Sequence, residues 1–387
     1  MADFRVALVM TRGQAYVEQV MLGIAEHVHR TRRWKCTYAW DSLTSLDHLA
    51  FQPDGVICCS FRNELFAELL EKRVPAVNVW QVRDGPALPY VGVDDGAVGR
   101  LAAEYFMQRG FRHFAYAGSY DHSYSDARWR GFRAALVAAG HDCAVLRPSV
   151  NEEVRDTPSS VWLHVRETVS RWIATLPTPV AILAAEDICA VEVSEACAAC
   201  GLQVPGDVAV LGVNNDRVLC DLAAPPLSSI ELPGRQVGLA AAAALDRWLD
   251  GEAPSGEPAL FPPTGVVTRQ STDVFAVDDR DVTAALQLIR DRATRGLTVE
   301  DILAVVPVSR RTLENRFARH LGRSPHAEIE RVRIARAKDL LTNTDLSMPE
   351  VAARAGFNTG ERLSVTFRRR TGQTPTGFRI QTRAATH

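Results

Sequence analysis

From residue 1 to about 272, short apolar runs alternate with longer segments whose apolar positions recur at helical spacing. Phe4–Met10, Lys35–Trp40, Gly55–Ser60, Pro75–Trp80, Tyr90–Asp94, His113–Gly118, Cys143–Arg147, Val180–Ala185 and Val208–Val213 read as strands. Gln14–His29, Ala97–Arg109, Arg128–Ala139, Val161–Leu176, Ile188–Cys200 and Gly234–Leu249 read as helices. Strands apolar on both faces, alternating with helices, predict parallel sheets covered on either side. About ten strands exceed one comfortable doubly wound sheet, so the pattern predicts two α/β lobes with a ligand cleft at the strand ends.

The pattern then changes. Residues 273–283 are polar and acidic and read as a linker, and 284–387 show only helical periodicity with arginine-rich faces. Thr298, with Asp301 three residues on, predicts a capped helix whose apolar face is Val299, Ile302, Leu303 and Val306. Pro307 cannot continue that helix. Ser309 then caps a second helix, Arg310–Leu321, with Leu313, Phe317 and Leu321 inward and Arg310, Arg311, Glu314, Asn315 and Arg316 outward. The motif recurs: Ser347 caps a helix that Gly356 ends, and Thr359 begins another with Leu363 and Phe367 inward. Gly360, Glu361, Arg362, Ser364 and Val365 face outward there, and Arg368, Arg369 and Arg370 at its end are placed for phosphate contact. These are two helix-turn-helix units joined by one long helix over Pro325–Thr342. A rigid connection lets two recognition helices enter successive major-groove turns, about 34 Å apart.

Composition adds a second kind of evidence. Of 387 residues, 47% are hydrophobic and 23% charged, as in a soluble globular protein. No apolar run approaches the roughly 18 residues of a membrane helix, and the N-terminus lacks a signal peptide's basic and apolar regions, so a cytoplasmic protein is expected. The net charge of −2 hides an asymmetry. Residues 282–387 hold 19 Lys+Arg against 10 Asp+Glu, and the remainder 25 against 36. A basic end on an acidic body predicts double-stranded DNA as partner for the end and another task for the body. The eight cysteines have no zinc spacing, so buried free thiols and no metal are expected. No nucleophile elbow, phosphate loop, dinucleotide fingerprint or zinc-protease motif is present, so neither an enzyme nor a cofactor is expected. A sugar-acting enzyme with a DNA-binding appendage and a nonspecific DNA-architectural protein are the weaker alternatives.

Residues 285–383 resemble the DNA-binding domain of the AraC/XylS family. The carrying residues are S-R-R-T-L-E-N-R-F at 309–317, R-I-A-R-A-K-D-L-L at 333–341 and P-E-V-A-A-R-A-G-F with F-R-R-R-T-G-Q-T-P-T-G-F-R at 349–379. The resemblance places base readers at Arg311, Glu314 and Asn315 in the first unit and at Glu361, Arg362 and Val365 in the second. Residues 1–272 resemble the periplasmic-binding-protein-like sensor of LacI-type repressors, through V-G-V-D-D-G-A-V-G-R-L-A at 91–102, R-W-R-G-F at 128–132, L-A-A-E-D at 183–187, V-A-V-L-G-V-N-N-D at 208–216 and P-L-S-S-I-E-L-P-G-R-Q-V-G at 226–238. Together these imply a sugar-responsive transcription regulator: an activator of a catabolic operon, with a pentose effector, a homodimer, and RNA polymerase as a further partner. A different sugar or a repressor is the alternative. Arg, Asp and Asn bond sugar hydroxyls while aromatic rings cover the C–H face. Arg128, Asp187 and Asn214 are therefore the leading ligand-binding residues, followed by Tyr16, Arg62, Trp80 and Asp95. Each has a plainer reading: a surface ion pair for Arg128, a helix N-cap for Asp187, a turn for Asn214, a core aromatic for Trp80. Many relatives carry Asp where this chain has Asn214, which forgoes a charge-assisted bond.

Overall fold

Val180–Ala184 and Val208–Val213 are buried at every position, and they pair in parallel. Apolar strands of this kind are stable only with helices on both faces. In a computed structural model, which describes residues 4–11, 15–40, 45–49, 51–59, 63–80, 88–118, 123–146, 158–252, 257–274 and 279–384, the chain divides into two units. One comprises 1–107 and 112–274, the other 108–111 and 275–387.

The first unit is built from β1 (Phe4–Met10), α1 (Ala15–Thr31), β2 (Trp34–Trp40), β3 (Gly55–Cys58), α2 (Asn63–Glu71), β4 (Ala76–Asn78), β5 (Val91–Val93), α3 (Asp95–Gln108), β6 (His113–Ala117), α4 (Ser123–Ala138), β7 (Ala144–Leu146), α5 (Pro158–Ile173), β8 (Val180–Ala184), α6 (Asp187–Ala199), β9 (Val208–Val213), α7 (Arg217–Leu222), β10 (Ser228–Glu231), α8 (Gly234–Leu249), β11 (Ala259–Phe261) and β12 (Gly265–Val267). Two main sheets result, ordered β2-β1-β3-β4 and β12-β10-β9-β8-β6-β7, with a small β11-β5 pair. The expected parallel pairing holds except at β12, which runs antiparallel to β10. Three short strands, β10 to β12, escape the apolar pattern: Ser228–Glu231 reads S-S-I-E, and the other two span three residues each. Helix α4 begins at Ser123, so Arg128 lies in its second turn rather than opening it. Four cysteines are buried, but Cys36 and Cys200 are exposed, against expectation. Cys36 lies on the edge strand β2, and Cys200 caps the end of α6.

Helices α3 and α4 meet backbone to backbone. A Cβ on Gly99 would lie 2.1 Å from the Arg128 carbonyl oxygen, and one on Gly131 would lie 2.1 Å from that of Gly96. This contact brings the start of α3, with Asp95, beside Arg128.

The second unit is all-helical among its described residues: α9 (Arg280–Arg292), α10 (Val299–Leu303), α11 (Arg310–Leu321), α12 (Pro325–Asn343), α13 (Met348–Arg354), α14 (Gly360–Thr371) and α15 (Pro375–Ala384). The Thr298 capping box forms as the sequence predicts, and Ser309 and Thr359 accept from the N–H groups of Thr312 and Arg362. Two separate apolar cores follow. Val282, Leu286, Ile289, Ile302, Leu313, Phe317 and Ile329 form one, and Ile334, Ala337, Leu341, Val351, Leu363 and Phe367 the other. Helix α12 supplies residues to both, so a single rod of 19 residues, about 28 Å at 1.5 Å per residue, joins the two helix-turn-helix units. Its Arg333 also donates to the carbonyls of Ala293 and Leu297, each at 2.8 Å, which ties the rod to the connection between α9 and α10.

Gly131→Ala is expected to destabilise the first unit by about 1–3 kcal/mol, the usual cost of overpacking. Chemical denaturation reads this directly, and an unchanged midpoint would show that α3 and α4 part without cost.

Candidate functional site

The carboxyl ends of both main sheets converge on one cavity. Its lining follows from the strand order. Val79 and Trp80 come just after β4, Val93 and Asp95 close and follow β5, Glu186 follows β8, Asn214 follows β9, and Leu232 follows β10. Tyr16 comes from the first turn of α1, and Tyr124 and Arg128 from α4. Open α/β sheets present their binding residues at these strand ends.

Arg128 organises the cavity. It is 4% exposed. Its Nε donates to Asp95 Oδ1 at 2.8 Å, Nη1 donates to the Ala185 carbonyl, and the guanidinium lies 4.8 Å from the centre of the Tyr124 ring. Burial lifts the Asp95 carboxyl above its ordinary range, and Arg128 opposes that shift. Burial also works against the Arg128 cation, but Asp95, Tyr124 and Glu186 around it hold it charged. Tyr124 donates to Glu186 and meets Trp80 edge-on, with ring centres 5.3 Å apart. Burial raises the hydroxyls of Tyr16, Tyr90 and Tyr124, so all three remain O–H donors. Asn214 holds a left-handed φ of 111°, and its N–H donates to the Ile230 carbonyl. Asn tolerates that backbone better than most side chains.

Tyr16, Trp80, Asp95, Arg128 and Asn214 are thus gathered at one cavity, and Arg62 lies outside the described residues. Asp187 is a correction. It is the first residue of α6, 1% exposed, and does not line the cavity. It accepts from Ser229 Oγ and from the Asp216 N–H at 2.7 Å, which ties α6 to the ends of β9 and β10. It is not a side-chain N-cap either: the N-cap position is Glu186. Glu186, Tyr90, Tyr124, Val79, Val93 and Leu232 were not singled out from sequence. Glu186 was within reach, because it stands beside Asp187 in the L-A-A-E-D stretch. Choosing between the two needs the helix start, which moves every side chain by about 100° per residue.

The second candidate surface is formed by α11 and α14. Arg311 and Asn315 on α11, and Glu361, Arg362, Ser364, Val365 and Arg368 on α14, are exposed. Val365, at 68% exposure, is an apolar side chain set out in solvent. Arg310 is exposed but bridges Glu300 at 2.7 Å and Glu314 at 3.1 Å, so both it and Glu314 are partly engaged. Arg316 is a correction. It turns away from the outward face and pairs with Asp281 at 2.7 Å and Asp279 at 3.3 Å, at the start of α9. The repeat explains this: fifty residues on, the same position is Thr366, which is buried. Thr359 spends its hydroxyl oxygen on the helix cap. Arg369 and Arg370 pair with Glu330 of α12 and so are not the unencumbered phosphate ligands the sequence suggests, whereas Arg368 has no ion-pair partner among the described residues.

Residues 103–272 match the periplasmic binding protein-like domain family, and residues 302–381 match a helix-turn-helix domain family. The chain is 28% identical to the xylose operon regulatory protein of Haemophilus influenzae, over 97% of this chain and 98% of that one. It is 28% identical to the protein of the same name from Escherichia coli K12, over 97% and 96%. It is similar to the solved structure of the xylose-binding transcription activator XylR, with a TM-score of 0.62, 27% identity and 97% of each chain covered.

The Asp187 carboxyl has its pKa pushed up to about 7, chiefly by burial, against hydrogen bonds from Ser229 and Asp216. An unfolded Asp titrates near 3.9. Between about pH 4 and 7 the folded chain therefore holds a proton that the unfolded chain has lost, and stability falls as pH rises through that window. Asp187→Asn is expected to flatten this part of the curve, as read from urea midpoints across pH. Parallel wild-type and variant curves would rule the effect out.

Proposed function

We propose that this regulator, which joins a periplasmic-binding-protein-like sensor to an AraC-type helix-turn-helix domain, changes its hold on promoter DNA when a small neutral sugar fills the sensor cavity. The observation that carries this reading is the cavity itself. It is a concave site lined by both polar and aromatic side chains at the carboxyl ends of the strands, where open α/β sheets take small ligands. Arg128, Asp95, Glu186 and Asn214 offer donors and acceptors for neighbouring hydroxyls, and Trp80, Tyr16, Tyr90 and Tyr124 offer rings for the C–H faces. Two carboxylates against one guanidinium disfavour an anionic ligand. The similar proteins are named for xylose, which makes pentoses the first ligands to test. Asn214, donor and acceptor at once, favours a hydroxyl pattern different from one matched to a carboxylate.

In this reading Arg311 and Asn315 read bases from the first recognition helix, and Glu361, Arg362 and Val365 from the second. Arginine suits guanine, asparagine adenine, glutamate the cytosine amino group, and valine a thymine methyl. The protein acts in the cytoplasm as a homodimer and activates a catabolic operon through RNA polymerase. Sugar shifts the sensor between two states, and it does so only by the difference in its affinity for them.

Calorimetric titration of the full chain with a panel of pentoses and hexoses is the first test. One neutral sugar is expected to bind, and Arg128→Lys, which loses the planar fork, to weaken it about tenfold or more. A panel without a binder, or a bound sugar that leaves operator affinity and transcription unchanged, would sink the reading. On the DNA side, Arg311→Ala is expected to cost about 1–3 kcal/mol at the operator and little on random duplex. Competition binding checks this, and equal losses on both would assign Arg311 to the backbone instead.

A further inference from the structure

Three consecutive arginines end α14, and a basic cluster there invites the assumption that all three bind DNA phosphates. Their surroundings differ. Arg369 Nη2 donates to Glu330 Oε1 at 2.6 Å, and Arg370 Nη2 donates to Glu330 Oε2 at 2.8 Å. Each guanidinium thus takes one oxygen of a single carboxylate. Glu330 is 8% exposed, although it belongs to the DNA-binding domain's connecting rod. The imidazole of His326, one turn earlier on α12, stands 3.9 Å from the same carboxylate. Apolar packing fixes the arrangement, since Ile334 of α12 shares a core with Leu363 and Phe367 of α14.

Phosphate and Glu330 compete for these two arginines on unequal terms. A phosphate contact at an exposed surface is screened by salt. Arg369 and Arg370 are themselves 60% and 41% exposed and help to cover Glu330, so releasing them costs the two charge-assisted bonds to one carboxylate rather than a fully buried ion pair. We propose that Glu330 is a specificity-determining residue that withholds Arg369 and Arg370 from the DNA backbone. Of the three arginines it leaves only Arg368 to contribute to phosphate binding. Phosphate contacts supply sequence-independent affinity. Restraining two of them lowers binding to random DNA, and the operator is then distinguished chiefly by the base-facing side chains of α11 and α14. This proposal rests on the reading that the helical domain binds duplex DNA.

The test is the salt dependence of binding by the full-length chain, measured by fluorescence anisotropy on a random-sequence duplex over a series of KCl concentrations. Glu330→Gln is expected to raise the affinity and to steepen the slope of log K against log [KCl] by up to about 1.8, at about 0.9 per phosphate contact. Arg369→Gln and Arg370→Gln, made singly in the otherwise unchanged chain, are expected to leave the slope within about 0.4 of wild type, less than half of one contact. Adding both to Glu330→Gln returns the slope to its original value. An unchanged slope in Glu330→Gln overturns the proposal. So does a shallower one, which would mean that Glu330 presents the arginines to DNA instead of holding them back. If Glu330→Gln fails to fold by circular dichroism, the single arginine variants decide: a slope reduced by about 0.9 in either overturns the proposal, and an unchanged one supports it. A wild-type chain with no affinity for any duplex would instead remove the underlying DNA-binding reading.

Discussion

The sensor unit depends on a guanidinium held almost entirely out of solvent at the wall of its cavity. Arg128 is nearly sealed from solvent, and a buried cation is tolerated only when its partners surround it. Asp95 supplies the counter-charge, the Ala185 carbonyl takes another N–H, and the Tyr124 ring covers the face. Each partner comes from a different part of the chain, so the ion pair fastens α3, α4 and the loop before α6 at one point. The close approach of Gly99 and Gly131 makes this geometry reachable. Arg128, Asp95 and Tyr124 also line the cavity, so the ion pair that fastens these elements is part of the site's wall.

The helical domain applies a related constraint in a different way. Its two helix-turn-helix units have separate cores, and α12 belongs to both. Apolar contacts seat each unit on the rod, and polar side chains along the rod then reach outward. Arg333 satisfies two carbonyls of the first unit, while Glu330 holds two arginines of the second. The basic surplus of this domain is therefore not all available to a partner. Arg316 is likewise occupied by Asp279 and Asp281. On α11 and α14 the exposed side chains that form no ion pair among the described residues include Arg311, Asn315, Glu361, Arg362, Ser364, Val365 and Arg368, so fewer arginines are unengaged there than the arginine count suggests.

Much of this was legible from the order of residues. Helix caps are local chemistry: a hydroxyl, three residues and a backbone N–H suffice, so Thr298, Ser309 and Thr359 announce their helices without reference to the rest of the fold. Fully apolar strands announce parallel sheets for the same reason. Short or polar strands such as Ser228–Glu231 do not, because their pairing is decided by neighbours distant in sequence. Thr366, buried where its repeat partner is Arg316, was a clue in plain view that this helical position faces inward.

The sequence by itself determined the class of each part, a layered α/β body and a tandem helix-turn-helix end, because periodicity, capping and charge are carried by residues close together in the chain. It also singled out Tyr16, Trp80, Asp95, Arg128 and Asn214, which line one cavity. Only the tertiary structure decided which residue at a given end enters the cavity. Glu186 does and Asp187 does not, although they are adjacent, because one step along the chain at a helix start turns the side chain from the cavity to the sheet. The same holds for the arginines. Their number is a property of the sequence, but whether each meets solvent or a carboxylate depends on side chains some forty residues away, which only folding brings within reach.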